Sequence, residues 1–429
     1  MSADPIQESS VNPHYLNHVV ATSATHEVQA SEDIVARNGI KLLAKGVRID
    51  AALRDRLLDH KLQKPLEQCL EVVDGVVPER FGPIAERLLE SHGLLSALCS
   101  NFGPASPIRD SLTRLHLSKP VRSLLTVYGE HQGDRLRHSV GVAMLAMALA
   151  RRLAPGEIER HRMLALAGLL HDVGELYMDP KHLARGARLG PEQWRHVVVH
   201  PVVGHRVLQS MDGAGPAVAN AVLLHHERLD GFGYPRGVRG DDLAMDGQIL
   251  GAAEWLMALV DSGVMPLARI SVATKLIPGE FRRDIVDAVI AAAAAGGEPQ
   301  AVPGTIEESM LRVVRIRSTL DRFANIRAWI DERIGEASGD LREVLISGLD
   351  RMLRIAVAFN STGLDRADQQ LLAPDEPLHL EVATIVRELE WRLRQLERES
   401  LLRGGLLDDE SYRVVQELVA RLKNDTAAA

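Results

Sequence analysis

From residue 134 the sequence runs DRLRHSVGVAMLAMALARRL, breaks at Ala154-Pro155-Gly156, and from residue 160 continues as RHRMLALAGLLHDVGELY. Two long apolar stretches rich in alanine and leucine, separated by a Pro-Gly break, predict a pair of helices. Alanine and straight-chain residues lose little on entering a helix, and proline ends one. A helix that is apolar nearly all round must be covered on every side, so the chain is expected to build around a buried helical bundle. The residue balance agrees, since aromatics are 3% of a chain that is 46% hydrophobic, which favours helix over strand. With 429 residues there is room for two or three domains.

Residues 1–32 are rich in Ser, Asp, Glu, Asn and His without a period and read as a disordered tail. Residues 33–112 read as a small accessory region, in which GIKLLAKGVRI could form a hairpin and PIAERLLESHGLLSALCSNF has helical spacing. The principal domain is expected over 118–290. Near residues 290 to 304 the run AAAAAGGEPQAVPGT ends a helix and becomes a linker, which places a boundary there. Residues 305–429 read as a helical C-terminal region. Within it Leu378, Val382, Ile385, Leu389, Leu393 and Leu396 recur at spacings of three or four, favouring a bundle helix over a dimerising coiled coil.

A formal net charge of −8 and the lack of a basic block argue against nucleic acid as a partner. The two cysteines, Cys69 and Cys99, form no CxxC pair, so neither a disulfide framework nor a structural zinc site is indicated. No apolar run reaches the ~20 residues that span a bilayer, and the opening MSADPIQESSVNPHY lacks the order of a signal peptide. The expectation is a cytoplasmic protein without membrane contact.

The chemistry is carried by polar residues set into apolar helices. His171-Asp172 ends the run MLALAGLL, His138 follows Asp134 by one turn, His200 lies in VVVHPVVGH, His225 and His226 are adjacent, and Glu254 interrupts ILGAAEWLMAL. One such histidine is ordinarily a hydrogen-bonded core residue. Five of them with carboxylates in one domain point to a multinuclear metal site, because buried imidazoles and carboxylates need a cation to accept their lone pairs. This donor mixture suits iron, manganese or zinc, and two ions ~3.5 to 4 Å apart can clamp a phosphate and activate water.

HDVGE at 171–175, RLGPEQWRHVVVHPVVGHRVL at 188–208 and HHERLDGFGYPRGVRG at 225–240 carry a resemblance. Residues 118–290 resemble the HD-GYP family of metal-dependent phosphodiesterases, which hydrolyse the bacterial second messenger cyclic di-GMP. The resemblance implies a mainly α, HD-type helical bundle flanked by the accessory region and the C-terminal extension. It implies two or three divalent metal ions, iron or manganese ahead of zinc, and a cyclic dinucleotide as substrate. The implied ligands are His138, His171, Asp172, His200, His225 and His226, with Asp172 bridging two ions. Glu254 stands where the family has an aspartate, and Asp134 where some members have a glutamate supporting a third metal. Gly233, Tyr234 and Pro235 would shape a lip facing substrate.

The family's HDxGK reads HDVGE here, so Glu175 replaces a lysine that would face substrate phosphate and reacting water. On a continuous helix Glu175 would share a face with His171 and could ligate metal or pair with Arg185 or Arg188, two candidates for substrate contact. Asp172 and Glu175 are thus the expected catalytic carboxylates. A degenerate module that binds nucleotide, or a protein partner through the C-terminal helices, remains the alternative, and a homodimer stays open.

Overall fold

A computed structural model describes residues 11–100, 107–130, 134–183, 191–263, 268–270, 272–273, 279–295, 304–337, 339–364 and 376–423. They fall into two compact units. One comprises described residues within 1–189, 196–261 and 281–288; the other takes those within 190–195, 262–280 and 289–429. The fold is mainly α, as expected.

In the first unit the two apolar stretches are the helices Arg135–Leu153 and Ile158–Leu170. Every residue from Ser139 to Ala150 and from Leu164 to Leu170 is buried, as all-round apolar helices require. The helices Lys119–Glu130, His200–Leu208, Gly215–Leu224 and Met245–Ser262 belong to the same unit. The Ile158–Leu170 helix stops just before His171, and Val173–Tyr177 continues as a 3-10 turn.

The N-terminal expectations need correction. Residues 1–10 lie outside the described set, but 11–32 are structured. Pro13–Thr22 is a helix whose first turn is closed by the Asn12 side chain, which accepts from the backbone N–H of His14 and Tyr15 at 2.9 and 3.1 Å. Proline at the first helical position and buried Tyr15, Leu16 and Val19 complete the reason it forms. Val28–Ala30 then pairs antiparallel with Leu70–Val72. A hairpin does form in the accessory region, but between Ile34–Val35 and Lys41–Leu43, with its turn at Asn38-Gly39. GIKLLAKGVRI therefore supplies only one of its strands.

The accessory region is not a separate body. Val72 and Val76 donate their backbone N–H to Ser123 Oγ and Thr126 Oγ1 on the Lys119–Glu130 helix, at 2.9 and 2.8 Å.

The second unit contains the helices Ile306–Asp321, Phe323–Ile334, Gly339–Ser361, Glu376–Gly404 and Asp409–Lys423. Thr305 and Glu308 close a reciprocal capping box at its start. Val382, Ile385, Leu389 and Leu396 are buried in its core and Leu393 packs against it, while the side chain of Leu378 lies outside the described set. No helix among the described residues is long and apolar enough to cross a membrane.

Candidate metal centre

Each polar residue singled out in the apolar helices sits at or near a helix end or on an inward face. His171 caps the Ile158–Leu170 helix, His200 opens its own helix, His225 caps the Gly215–Leu224 helix, and Glu254 lies within Met245–Ser262. Two groups of ligating atoms result, Asp172 with His200, His225 and His226, and His138 with His171 and Glu254; within each group the atoms lie within 4.8 Å of one another.

The rings are oriented from behind. His171 Nδ1 faces the Gly168 carbonyl at 2.9 Å, His200 Nδ1 that of Val197 at 2.8 Å, and His225 Nδ1 that of Val222 at 2.6 Å. His138 Nδ1 faces the Asp261 carboxylate at 2.6 Å. These oxygens can only accept, so Nδ1 carries the hydrogen, and a ring in its neutral form turns its Nε2 lone pair inward. The Nε2 atoms of His200 and His225 then stand 3.2 Å apart. When both rings are neutral their lone pairs point at each other, a repulsion that either a proton on His200 or a cation between them relieves. The buried Nε2 of His171 makes no hydrogen bond.

Asp172 lies between the groups. Its Oδ1 is 3.2 Å from His200 Nε2 and 3.6 Å from His225 Nε2, while Oδ2 is 3.1 Å from His171 Nε2. Glu254 Oε2 lies 2.9 Å from His138 Nε2 and 3.3 Å from His171 Nε2. The longer side chain thus still brings its oxygen to the histidines. This donor set fits divalent ions, with one carboxylate placed to serve both groups.

The titration behaviour is divided. Burial opposes a charge on His138, but Glu254 and Asp261 outweigh it and raise the imidazole to about 10. Burial lowers His225 to about 4 and also lowers His226, to which the neighbouring His225 contributes. Burial works against an ionised Asp172 as well, yet His171 and the surrounding rings hold it below the usual carboxylate range.

The turn after His226 is fixed from within. Glu227 accepts the backbone N–H of Arg236 at 2.7 Å and of Val238 at 3.0 Å. A Cβ on Gly233 would lie 2.4 Å from the backbone of Glu227 and Arg228, so only glycine fits there. The turn thereby lays the Tyr234 ring on His226, with centroids 4.5 Å apart.

The HD domain family matches residues 116–279. Over 217 residues the chain is 26% identical to a 3'3'-cGAMP-specific phosphodiesterase of Vibrio cholerae, covering 47% of this chain and 45% of that protein. It is 37% identical over 144 residues to a cyclic di-GMP phosphodiesterase of Pseudomonas aeruginosa, covering 33% and 34%. A cyclic di-GMP phosphodiesterase of Thermotoga maritima is 25% identical over 237 residues, covering 54% and 56%. Over residues 116–279 the chain is thus similar to the HD domain family, and these relatives are phosphodiesterases of cyclic dinucleotides. It spans about half or less of the length of these relatives.

Within the matched region the expected ligands His138, His171, Asp172, His200, His225, His226 and Glu254 come together in the two groups. Asp134 belongs to neither group; it is exposed at the start of the Arg135–Leu153 helix. Arg185 and Arg188 lie outside the described residues. Glu175 departs from expectation: the helix ends at Leu170, so it does not follow His171 in α-helical register, and its carboxylate pairs with Arg135. Burial and Asp172 push its pKa up, and Arg135 counters them.

Two residues at the site escaped the sequence reading. Asp261 follows Glu254 by seven residues, two turns along one helix, and that spacing was the available signal. Arg135, beside Asp134, carried none.

Proposed function

We propose that this domain is a metal-dependent phosphodiesterase that hydrolyses a cyclic dinucleotide. The observation that carries the reading is the set of Nε2 atoms aimed into the two groups with Asp172 between them. Seven residues offering only nitrogen and oxygen donors suit two ions, and favour iron or manganese over a four-coordinate zinc site. With Asp134 in neither group, a third ion lacks the support expected of it. Bound divalent ions would supply Lewis acidity for the phosphodiester and for water.

The chain's own residues position and select. The carbonyls of Gly168, Val197 and Val222 and the Asp261 carboxylate hold the ring tautomers. Tyr234 offers an aromatic face beside the ligands for a base or ribose of the substrate, and Gly233 and Pro235 set its position. The named activities of the relatives, on cyclic di-GMP and on 3'3'-cGAMP, bound the substrate class. Glu175, a carboxylate whose field reaches Asp172, is what favours the second reading, a module that binds the nucleotide without turnover.

The test is to load the full chain with manganese or ferrous iron and offer both cyclic dinucleotides, following linear or mononucleotide product by chromatography. Hydrolysis is expected, reduced by at least about 100-fold in His171→Ala together with its metal content. Tight binding of either nucleotide without product would establish the second reading instead.

A further inference from the structure

We propose that Arg135 is the protein's phosphate-binding cation at this site, held in place by Glu175. The inference rests on the reading that the site receives a phosphodiester anion.

An anion entering here meets the carboxylates of Asp172, Glu254 and Glu175, so bound metal ions alone must offset considerable negative charge. A cation on the protein would help, and Arg135 stands where one is needed. It opens the helix that carries His138. Its Nη1 donates to Glu175 and, at 3.3 Å, to Tyr128 Oη, and its guanidinium lies 5.1 Å from the Tyr128 ring centroid. Burial opposes its charge, but Glu175 foremost, then Tyr128 and Asp172, outweigh burial and keep the guanidinium charged. The Arg135 and Glu175 side chains keep 13% and 16% of their exposure, so the pair is sheltered but not sealed from solvent.

A planar guanidinium fork matches the geometry of phosphate oxygens, and a carboxylate behind it and an aromatic ring beside it fix its direction. Glu175 and Arg135 also explain each other. Without the arginine, Glu175 would only repel an anion beside Asp172. A lysine at 175 would in turn repel Arg135. The pair delivers a positive fork from the neighbouring helix, where the family pattern would extend an ammonium from the turn itself.

The test uses the metal-loaded full chain and inorganic phosphate, with affinity read by calorimetry and metal content measured on the same samples. Arg135→Leu is expected to weaken phosphate binding at least about tenfold, the scale of one charge-assisted contact, with metal per chain unchanged. Arg135→Leu/Glu175→Lys, which replaces the carboxylate with an ammonium, is expected to recover most of that loss. Arg135→Lys keeps the charge without the fork and serves if the leucine variant does not fold; it should weaken binding measurably. The proposal is overturned if the Arg135 variants bind phosphate like the parent, if the double variant binds no better than Arg135→Leu, if the parent binds no phosphate, or if the variants lose metal. Arg135-dependent phosphate binding in a protein that hydrolyses neither cyclic dinucleotide would refute the assigned function and leave this inference standing.

Discussion

His138 shows how the site works at the scale of one residue. Asp261 holds its Nδ1 while its Nε2 faces Glu254, and Arg137 Nη1 in turn donates to Asp261 at 2.6 Å. A ligand imidazole fixed from behind by a carboxylate has one tautomer and a more basic inward nitrogen. Asp261→Asn removes the charge and permits the amide to present a donor to Nδ1. It is expected to weaken divalent metal binding by roughly 10- to 100-fold in chelator competition without altering the fold; unchanged affinity would show that Asp261 serves only Arg137. That these histidines and Asp172 come together was legible because imidazole and carboxylate groups are out of place in runs such as MLALAGLL. Asp261 was not, because an aspartate at a helix end before Ser-Gly is ordinary. Glu175 was misplaced because its position was read as continuing a helix that in fact stops before His171.

Among the elements, the junction between the Val173–Tyr177 turn and the His200–Leu208 helix sets the spacing of Asp172 and His200. A Cβ on Gly174 would lie 2.1 Å from the His200 carbonyl oxygen and 2.8 Å from the Gly204 nitrogen, both backbone atoms unable to swing aside. Gly174→Ala should push the turn from the helix, cost about 1 to 3 kcal/mol in stability and lower metal occupancy. Thermal melts and metal analysis check both, and a variant that keeps its metal and its melting point would show the junction to be compliant. The long helices were legible from their unbroken apolar runs. The strands, two or three residues each, are shorter than the stretch over which alternation can be recognised, and the Pro13–Thr22 helix dilutes its apolar residues with His14, Asn17 and His18. That helix touches the site's surroundings: Tyr15 stacks on Tyr177 with centroids 4.8 Å apart, and Asn12 Nδ2 donates to the Tyr177 carbonyl at 3.1 Å.

At the scale of the whole molecule, the second unit is bound together by buried charge as well as by its apolar core. Arg392, 2% exposed, reaches Glu280 at 3.0 Å and Glu388 at 3.4 Å; Arg351 also pairs with Glu280 at 3.0 Å, and Arg269 with Glu388 at 2.6 Å. Arg392→Met leaves two buried carboxylates short of positive charge and is expected to cost that unit about 3 kcal/mol, near the lower limit for breaking a buried pair because Arg351 and Arg269 remain. A calorimetric transition that does not move would contradict this. The break near residues 290 to 304 was legible from its glycines and prolines. That residues within 190–195 and 262–280 belong with the C-terminal helices was not, since membership of a compact unit depends on contacts between segments distant in sequence.

The most direct test of the central claim is the rate of cyclic dinucleotide hydrolysis by the metal-free full chain as divalent ion is added in measured equivalents. The account predicts no turnover at the start and a rate that rises to a plateau near two ions per chain, as the two ligand groups require. A rate indifferent to added metal, or metal bound at two per chain with no product from either cyclic di-GMP or 3'3'-cGAMP, would contradict it.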